Sequence, residues 1–454
     1  MTKDKTWKRA VRARMKATGE RYTTARAQLL RKQAETPAVK GPGRGDSKGG
    51  YPFAPGLCRD TGAVTNWLQA SGVHREDGAF LNEALVTALA GGVGFLYIVF
   101  EYKGLPPLLS VLTRYDSAAE RFAVAGLERL DLPLETLQTT SAKKAQAALD
   151  AALDEGRPAL CVVDAGALSA SGSPEALSMP AGMAPTIVSA VAREGDTLLV
   201  DLGALEPASI GVEDFARARQ AYRKAKQQMW TLPKGEHLVE AAELSTALRG
   251  AFADCARRYT EAPYKGYASN FGLAGMEKWA RLLVDEKDPK GWARLFPEGR
   301  AACTGLRRAY QGLEVELTSP GAGRFVFADA LRQAAGLGPV LEGADLKRAA
   351  LERAADAFED AGSSWSAVAT AILVCGADEV RSGCELLDEY AALLDAQAPF
   401  SERRAAAERV SASASESSLD AAAAKAIYRD LAERVGDAVA SERAALAQLE
   451  KALN

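Results

Sequence analysis

Between residues 51 and 230 the apolar positions change period repeatedly, from the three-to-four spacing of a helix to the alternation or continuous run of a strand. Thr61 to Ser71 predicts a helix entered through Asp60 or Thr61 as its N-cap, where a short side-chain oxygen accepts an otherwise orphaned backbone N–H. Ala79 to Ala90 predicts a second helix, and Gly91, Gly92 and Gly94 then precede the apolar strand FLYIVFEY. The alternation continues with a strand over Pro107 to Arg114, a helix over Ser117 to Leu130, a strand over Leu134 to Thr140 and a helix over Ala142 to Asp154. PALCVVD is a short unbroken apolar run and reads as a buried strand. TIVSAVA and TLLVDL are the arms of a hairpin joined through Arg193, Glu194, Gly195 and Asp196, and VEDFARARQAYRKAK is the helix after it. This order predicts a mixed α/β layer structure ending near Trp230.

From Leu238 to Asn454 strand signals vanish and the periodicity is helical, broken at GLAGMEKW, DPKGW, SPGAG and GLGP. Trp279, Trp292 and Trp365 are expected to fill its core or a domain interface. The stretch from Ser418 onward is long, rich in Ala, Glu and Arg and nearly continuous, the pattern of a packed or self-associating helix, so homo-oligomerisation through the C-terminal helices is one expectation. At the other end Trp7, Val11 and Met15 recur every four residues, Thr18-Gly19 breaks the pattern, and Tyr22, Ala25 and Leu29 resume it, predicting two short basic helices. TPAVKGPGRGDSKGG, residues 36–50, reads as a linker. The expected division is a basic arm and linker over 1–50, an α/β domain over 51–233 and a helical domain over 234–454.

Charge sharpens the contrast. Residues 1–50 hold 14 Lys or Arg against 4 Asp or Glu, a balance of +10, which leaves −13 for the rest of a chain whose total is −3. Nucleic acid is a candidate partner only through this arm; the plainer alternative is a basic tail or a clip onto the acidic body. With 48% hydrophobic and 25% charged residues the body has the composition of globular protein. No apolar run follows the basic N-terminus as in a signal peptide, and none approaches the roughly 18 residues of a membrane span, so a cytoplasmic protein is expected. The six cysteines, at 58, 161, 255, 303, 375 and 384, form neither a CxxC pair nor a close, even framework, and are expected to be reduced thiols. HExxH, Walker and GxSxG patterns are absent, so no metal or cofactor is expected.

Around Cys58 the sequence becomes specific. GLCRDTGAVTNWLQASG followed by LNEALVTALAGGVGFLYIVFEYKGLPPLL resembles the opening of the butirosin biosynthesis protein H family's N-terminal domain: a cysteine, a helix bearing Thr and Asn, a Glu, then a glycine-rich turn. The resemblance runs on through EGRPALCVVDAGAL and the hairpin, and GLAGMEKWARLLVDEKDPKGWARLFPEG with SSWSAVATAIL is similar to the helical companion domain of that family. It implies an α+β fold of the papain and bacteriocin-leader-peptidase type, followed by a mostly α-helical domain. It also implies acyl transfer from a carrier-protein thioester to a small-molecule amine.

On such a fold a thiol at a helix N-terminus is favoured as thiolate, an imidazole on a facing strand moves the proton, and a carboxylate orients the imidazole. Cys58 fits the first role and Asp201, ending TLLVDL, the third. The resemblance puts the histidine near Pro185, where the segment reads GMAPTIVSAVA and has none. His74 follows Cys58 by sixteen residues, on the order of 20 Å at the helical rise; His237 reaches the thiol only if the interdomain segment folds back over the cleft. Glu83, Asp164, Pro185 and His237 are the candidate lining residues. For Glu83 a buried hydrogen bond to backbone competes with a chemical role, and for Asp164 capping of the loop SASGSPEALS does so. Cys161 reads as core. Two readings stand: an acyltransferase or amide-forming enzyme using Cys58 and Asp201 in an incomplete triad, or a non-catalytic papain-like module that binds a peptide, carrier protein or small ligand.

Overall fold

The computed structural model describes residues 10–16, 21–35, 50–101, 103–104, 106–115, 119–168, 182, 184–204, 206–337, 348–414 and 417–454. Trp7, the Thr18-Gly19 break, the linker over 36–49 and the loop SASGSPEALS lie outside them. Two arm helices, α1 (10–16) and α2 (Tyr22–Glu35), come first. Then follow α3 (Arg59–Ala70), β1 (Val73–Arg75), α4 (Glu83–Leu89), the hairpin β2 (Leu96–Phe100) and β3 (Leu108–Leu112), α5 (Ala119–Leu127), β4 (Glu135–Leu137) and α6 (Ala142–Asp154). Next are β5 (Ala159–Asp164), the single turn α7 (Ala165–Leu168), the meander β6 (Pro185–Glu194), β7 (Thr197–Asp201) and β8 (Ala208–Gly211), then α8 (Val212–Ala221), β9 (Met229–Thr231) and β10 (His237–Val239). The rest is helical: α9 (Ala241–Arg258), α10 (Gly272–Val284), α11 (Trp292–Leu295), α12 (Gly299–Glu314), α13 (Arg324–Ala335), α14 (Arg348–Leu373), α15 (Asp378–Asp395), α16 (Phe400–Ala412) and α17 (Ala421–Leu453).

These elements form two compact units, neither continuous in sequence. The first takes residues 1–86, 118–244 and 390–407, the second 87–117, 245–389 and 408–454. In the first, six strands pair antiparallel in the order β4-β9-β5-β6-β7-β8. Alternation along the strands sends Cys161, Val163, Val188, Leu198 and Val200 to one face, where they meet Leu149 and Leu153 of α6 and Phe215 and Ala218 of α8. Leu160, Val162 and Ile187 point to the other face and are also buried, where α3 packs against β5 and β6. A strand covered on both faces has no polar alternation, which is why PALCVVD reads as an unbroken apolar run. The arm helices bury Val11 and Ala25 with Met15, Leu29 and Ala392, and Arg26 Nε reaches the Asp395 carboxylate at 2.7 Å. The described arm helices therefore pack on the segment 390–407 of the same unit.

The strands β2 and β3, each expected in the α/β layer, pair with one another as a hairpin of the helical unit. Within that unit β2 packs on α10 and β3 on α12. The hairpin's apolar face is satisfied by aromatic partners. Phe95 stacks on Trp365 at 5.3 Å, Tyr97 on Trp279 at 6.1 Å, and Trp292 Nε1 donates to the Tyr97 hydroxyl at 3.0 Å. The long α17 is packed, against α14, α10 and α11 of the same unit. Within that core the Arg324 guanidinium meets the Glu442 carboxylate with both side chains fully buried. Arg324 also donates to the carbonyls of Gly94, Thr113 and Ala322, and Trp365 Nε1 donates to Glu442 at 2.6 Å. Among the described residues no helix is long and apolar enough to cross a membrane.

Removing one member of such a pair strands the other charge in an apolar core. Glu442→Ala should therefore destabilise the protein by about 3–5 kcal/mol in denaturant unfolding, far more than a change at an exposed pair such as Arg348–Glu352.

Candidate functional site

Helix α3 begins two residues before the expected position. Its N-cap is Cys58, held extended at φ −116° and ψ 135°, rather than Asp60 or Thr61. The shift has a polar cause. Glu83, at the start of α4, accepts the backbone N–H of Leu57 at 2.6 Å and of Cys58 at 2.8 Å, and the Thr61 hydroxyl at 2.7 Å. Asp60 then turns toward the thiol: its Oδ1 lies 3.0 Å from Cys58 Sγ, which donates to it, and also accepts Thr61 N–H at 2.9 Å. Burial raises the Glu83 carboxyl above the usual range, and the hydrogen bonds from Cys58, Thr61 and Leu57 and the charge of Arg26 only partly oppose it.

Asp201 ends β7 beneath the same helix. Its Oδ2 accepts the Tyr51 hydroxyl at 3.0 Å and Asn66 Nδ2 at 2.8 Å, and its Oδ1 accepts Gly203 N–H at 2.8 Å. Burial pushes it up to about 6, against those three hydrogen bonds. Burial and the nearby Asp201 charge push the Tyr51 hydroxyl well above its ordinary value. Asn66 lies two turns along α3 from Cys58, so Asp201 is a strut from the sheet to the helix. Gly203 makes the approach feasible: its φ is +64°, and a Cβ there would fall 2.0 Å from the Arg59 carbonyl oxygen.

The antiparallel register gathers the remaining candidates. Asp164 at the end of β5 pairs with Pro185 at the start of β6, and Ser189 of β6 pairs with Asp201 of β7, so these termini share the end of the sheet at which α3 begins. Pro185 stands four residues from Ser189, about 13 Å along the strand. Asp164 is engaged with backbone: it accepts Ala167 N–H at 2.8 Å, Gly182 N–H at 3.0 Å and Ala184 N–H at 2.9 Å, closing the two ends of the loop. His237 is placed elsewhere. Strand β10 pairs parallel with β1 just beyond the C-terminus of α3, with His237 N–H on the Gly72 carbonyl at 2.9 Å. His74 is on β1 itself, its Nε2 3.2 Å from Glu236. Both imidazoles thus lie at the opposite end of α3 from Cys58, roughly 18 Å away along a 12-residue helix. The fold-back of the interdomain segment that His237 would need to reach the thiol does not occur; this segment pairs with β1 instead.

Asp60 was legible in the sequence only as a cap. Its spacing two residues after a helix-starting cysteine is the signal that a side-chain partner for the thiol was at hand. Among the described residues no group of three or more His, Cys, Asp or Glu side chains is placed to hold a metal ion.

Residues 58–182 match the family model for butirosin biosynthesis protein H, N-terminal, a match that starts at Cys58 and bears out the resemblance over that segment. Among solved structures, a protein described as a C39-like peptidase from Bacillus anthracis is similar, at 12% identity over 41% of this chain and 96% of that one, with a TM-score of 0.23. No curated protein matches. The first unit is an α+β domain in which a cysteine opens a helix laid on an antiparallel sheet, and the second is mostly helical.

The raised Asp201 carboxyl gives a signed pH dependence. Its pKa is above the unfolded value of 3.8, so its contribution to stability is present below about pH 4 and is lost as pH rises through 6, on the order of 3 kcal/mol in total. Asp201→Asn cannot ionise, so the stability of wild type relative to the variant should fall between pH 4 and 7 in denaturant titrations. A difference that stays constant over that range would contradict the buried, proton-accepting environment.

Proposed function

We propose that this protein transfers an acyl group from a thioester, presented by an acyl carrier protein, to a small-molecule amine, with Cys58 as the acyl-accepting thiol and Asp60 as its proton acceptor. The 3.0 Å hydrogen bond from Cys58 Sγ to Asp60 carries this reading, because it supplies at the thiol the acceptor that an imidazole provides in related folds. As the sulfur attacks the thioester carbonyl, its proton passes to Asp60; the donor C–S bond breaks and the donor sulfur leaves with that proton. The amine then attacks the acyl-enzyme. A C–N bond forms, the bond to Cys58 breaks, and the ammonium proton returns through Asp60 to the thiol. Thioester aminolysis needs less assistance than peptide hydrolysis, so a carboxylate suffices where a peptidase needs histidine.

A second reading, a non-catalytic module for a peptide, carrier protein or small ligand, is favoured by one observation. Glu83 occupies the N–H groups of Leu57 and Cys58, the donors best placed to stabilise a developing oxyanion at this sulfur. Intact-mass spectrometry of the full chain with carrier-protein and pantetheine thioesters separates the two. A mass gain equal to the acyl group, discharged by added amine and missing in Cys58→Ser, is expected for the transferase. Binding of the carrier without any acyl gain or amide product points to the module.

A further inference from the structure

Arg403 is an oddity of the first unit. It lies on α16 one turn before Ala406 and Ala407, the residues that pack on Tyr390 and Leu394 of α15, and is itself only 8% exposed. Its Nε and Nη1 have no hydrogen-bond partner. Burial pushes this guanidinium below the usual arginine range, Tyr390 opposes the shift and the charge of Arg59 adds to it. Arg59 docks on the same stretch of α15, its Nη2 2.8 Å from Asp395 Oδ1 and 3.3 Å from the Ala391 carbonyl. Asp395 is shared with Arg26, whose Nε and Nη2 reach it at 2.7 and 3.3 Å. Arg26 and Arg59 thus share the buried carboxylate of Asp395, on the stretch of α15 near which Arg403 also packs. Buried cations are found paired, since an uncompensated one costs several kcal/mol, which makes Arg403 a candidate contact for an anion. The side chain of Arg59 keeps about a quarter of its surface exposed, which leaves a way in from solvent.

We propose that Arg403 and Arg59 bind an oxyanion, the carboxylate or phosphate of an acidic substrate, beside the helix end that carries Cys58. Assignment to a substrate rests on the acyl-transfer reading; binding of the anion does not, and the two are measured separately. A guanidinium whose Nε and Nη1 are both unengaged offers an oxyanion charge-assisted N–H donors held in a fixed plane, a geometry an ammonium lacks.

Isothermal titration of the full chain with sodium phosphate and with sodium glutarate, at ionic strength matched by chloride, tests this in wild type, Cys58→Ser, Arg403→Met and Arg403→Lys. Saturable binding of one or both anions is expected in wild type and in Cys58→Ser alike, weakened at least about tenfold in Arg403→Met and less in Arg403→Lys. Which anion binds distinguishes phosphate from carboxylate. Thermal unfolding in chloride alone should show Arg403→Met at or above the wild-type midpoint, because the unpaired charge is gone. Failure of wild type to bind either anion saturably, or undiminished binding by Arg403→Met, would overturn the site.

Discussion

The placement of Cys58 depends on how α3 is fastened at both faces of its first three turns, and carboxylates do the fastening. Asp201 reaches up from β7 to Asn66 and Tyr51, while Glu83 reaches across from α4 to the backbone of Leu57 and Cys58. Apolar packing alone would let a helix slide or rotate on a sheet at little cost. A buried carboxylate with three donors fixes both register and rotation, because moving it leaves desolvated polar groups unpaired. The same fastening sets the chemistry: with Glu83 holding Cys58 N–H, the cysteine becomes the N-cap, and Asp60 falls in the first turn within reach of the thiol.

Much of this could be read from the chain. The helix Ala142–Asp154 and the strand Ala159–Asp164 were delimited by their apolar pattern, and the turn through Gly195 marked the β6–β7 hairpin. These are local signals, set by neighbours within a few residues. Glu83 and Asp164 were each weighed between chemistry and backbone hydrogen bonding, and both accept backbone N–H groups. Short strands such as β9 and β10 escaped because three residues carry no period. The strands β2 and β3 were legible, but neither their pairing nor their unit was, since an apolar run says that a face is buried and not what buries it; the partners, Trp279 and Trp365, lie far along the sequence. His237 was left free to fold back because its pairing with β1 joins residues separated by more than 160 positions.

The basic arm shows charge and packing acting together. Its narrow apolar stripe, Val11 and Ala25, would not hold an isolated helix, yet the stripe finds Ala392 and Arg26 finds Asp395. The same carboxylate holds Arg59, the first residue of α3. Arm, C-terminal segment 390–407 and cysteine-bearing helix are therefore joined at one buried acid, which explains why these three stretches of sequence share a unit.

The proposed acyl transfer requires Asp60 to accept the proton of the Cys58 thiol, 3.0 Å away. Its most direct test is the single-turnover rate of Cys58 acylation by a pantetheine thioester in wild type and Asp60→Asn, with folding checked by circular dichroism. Loss of the proton acceptor should slow acylation by about 10²-fold or more at neutral pH, with recovery toward higher pH as solvent base takes its place. Equal rates in the two proteins would show that Asp60 is a structural neighbour and not the proton acceptor.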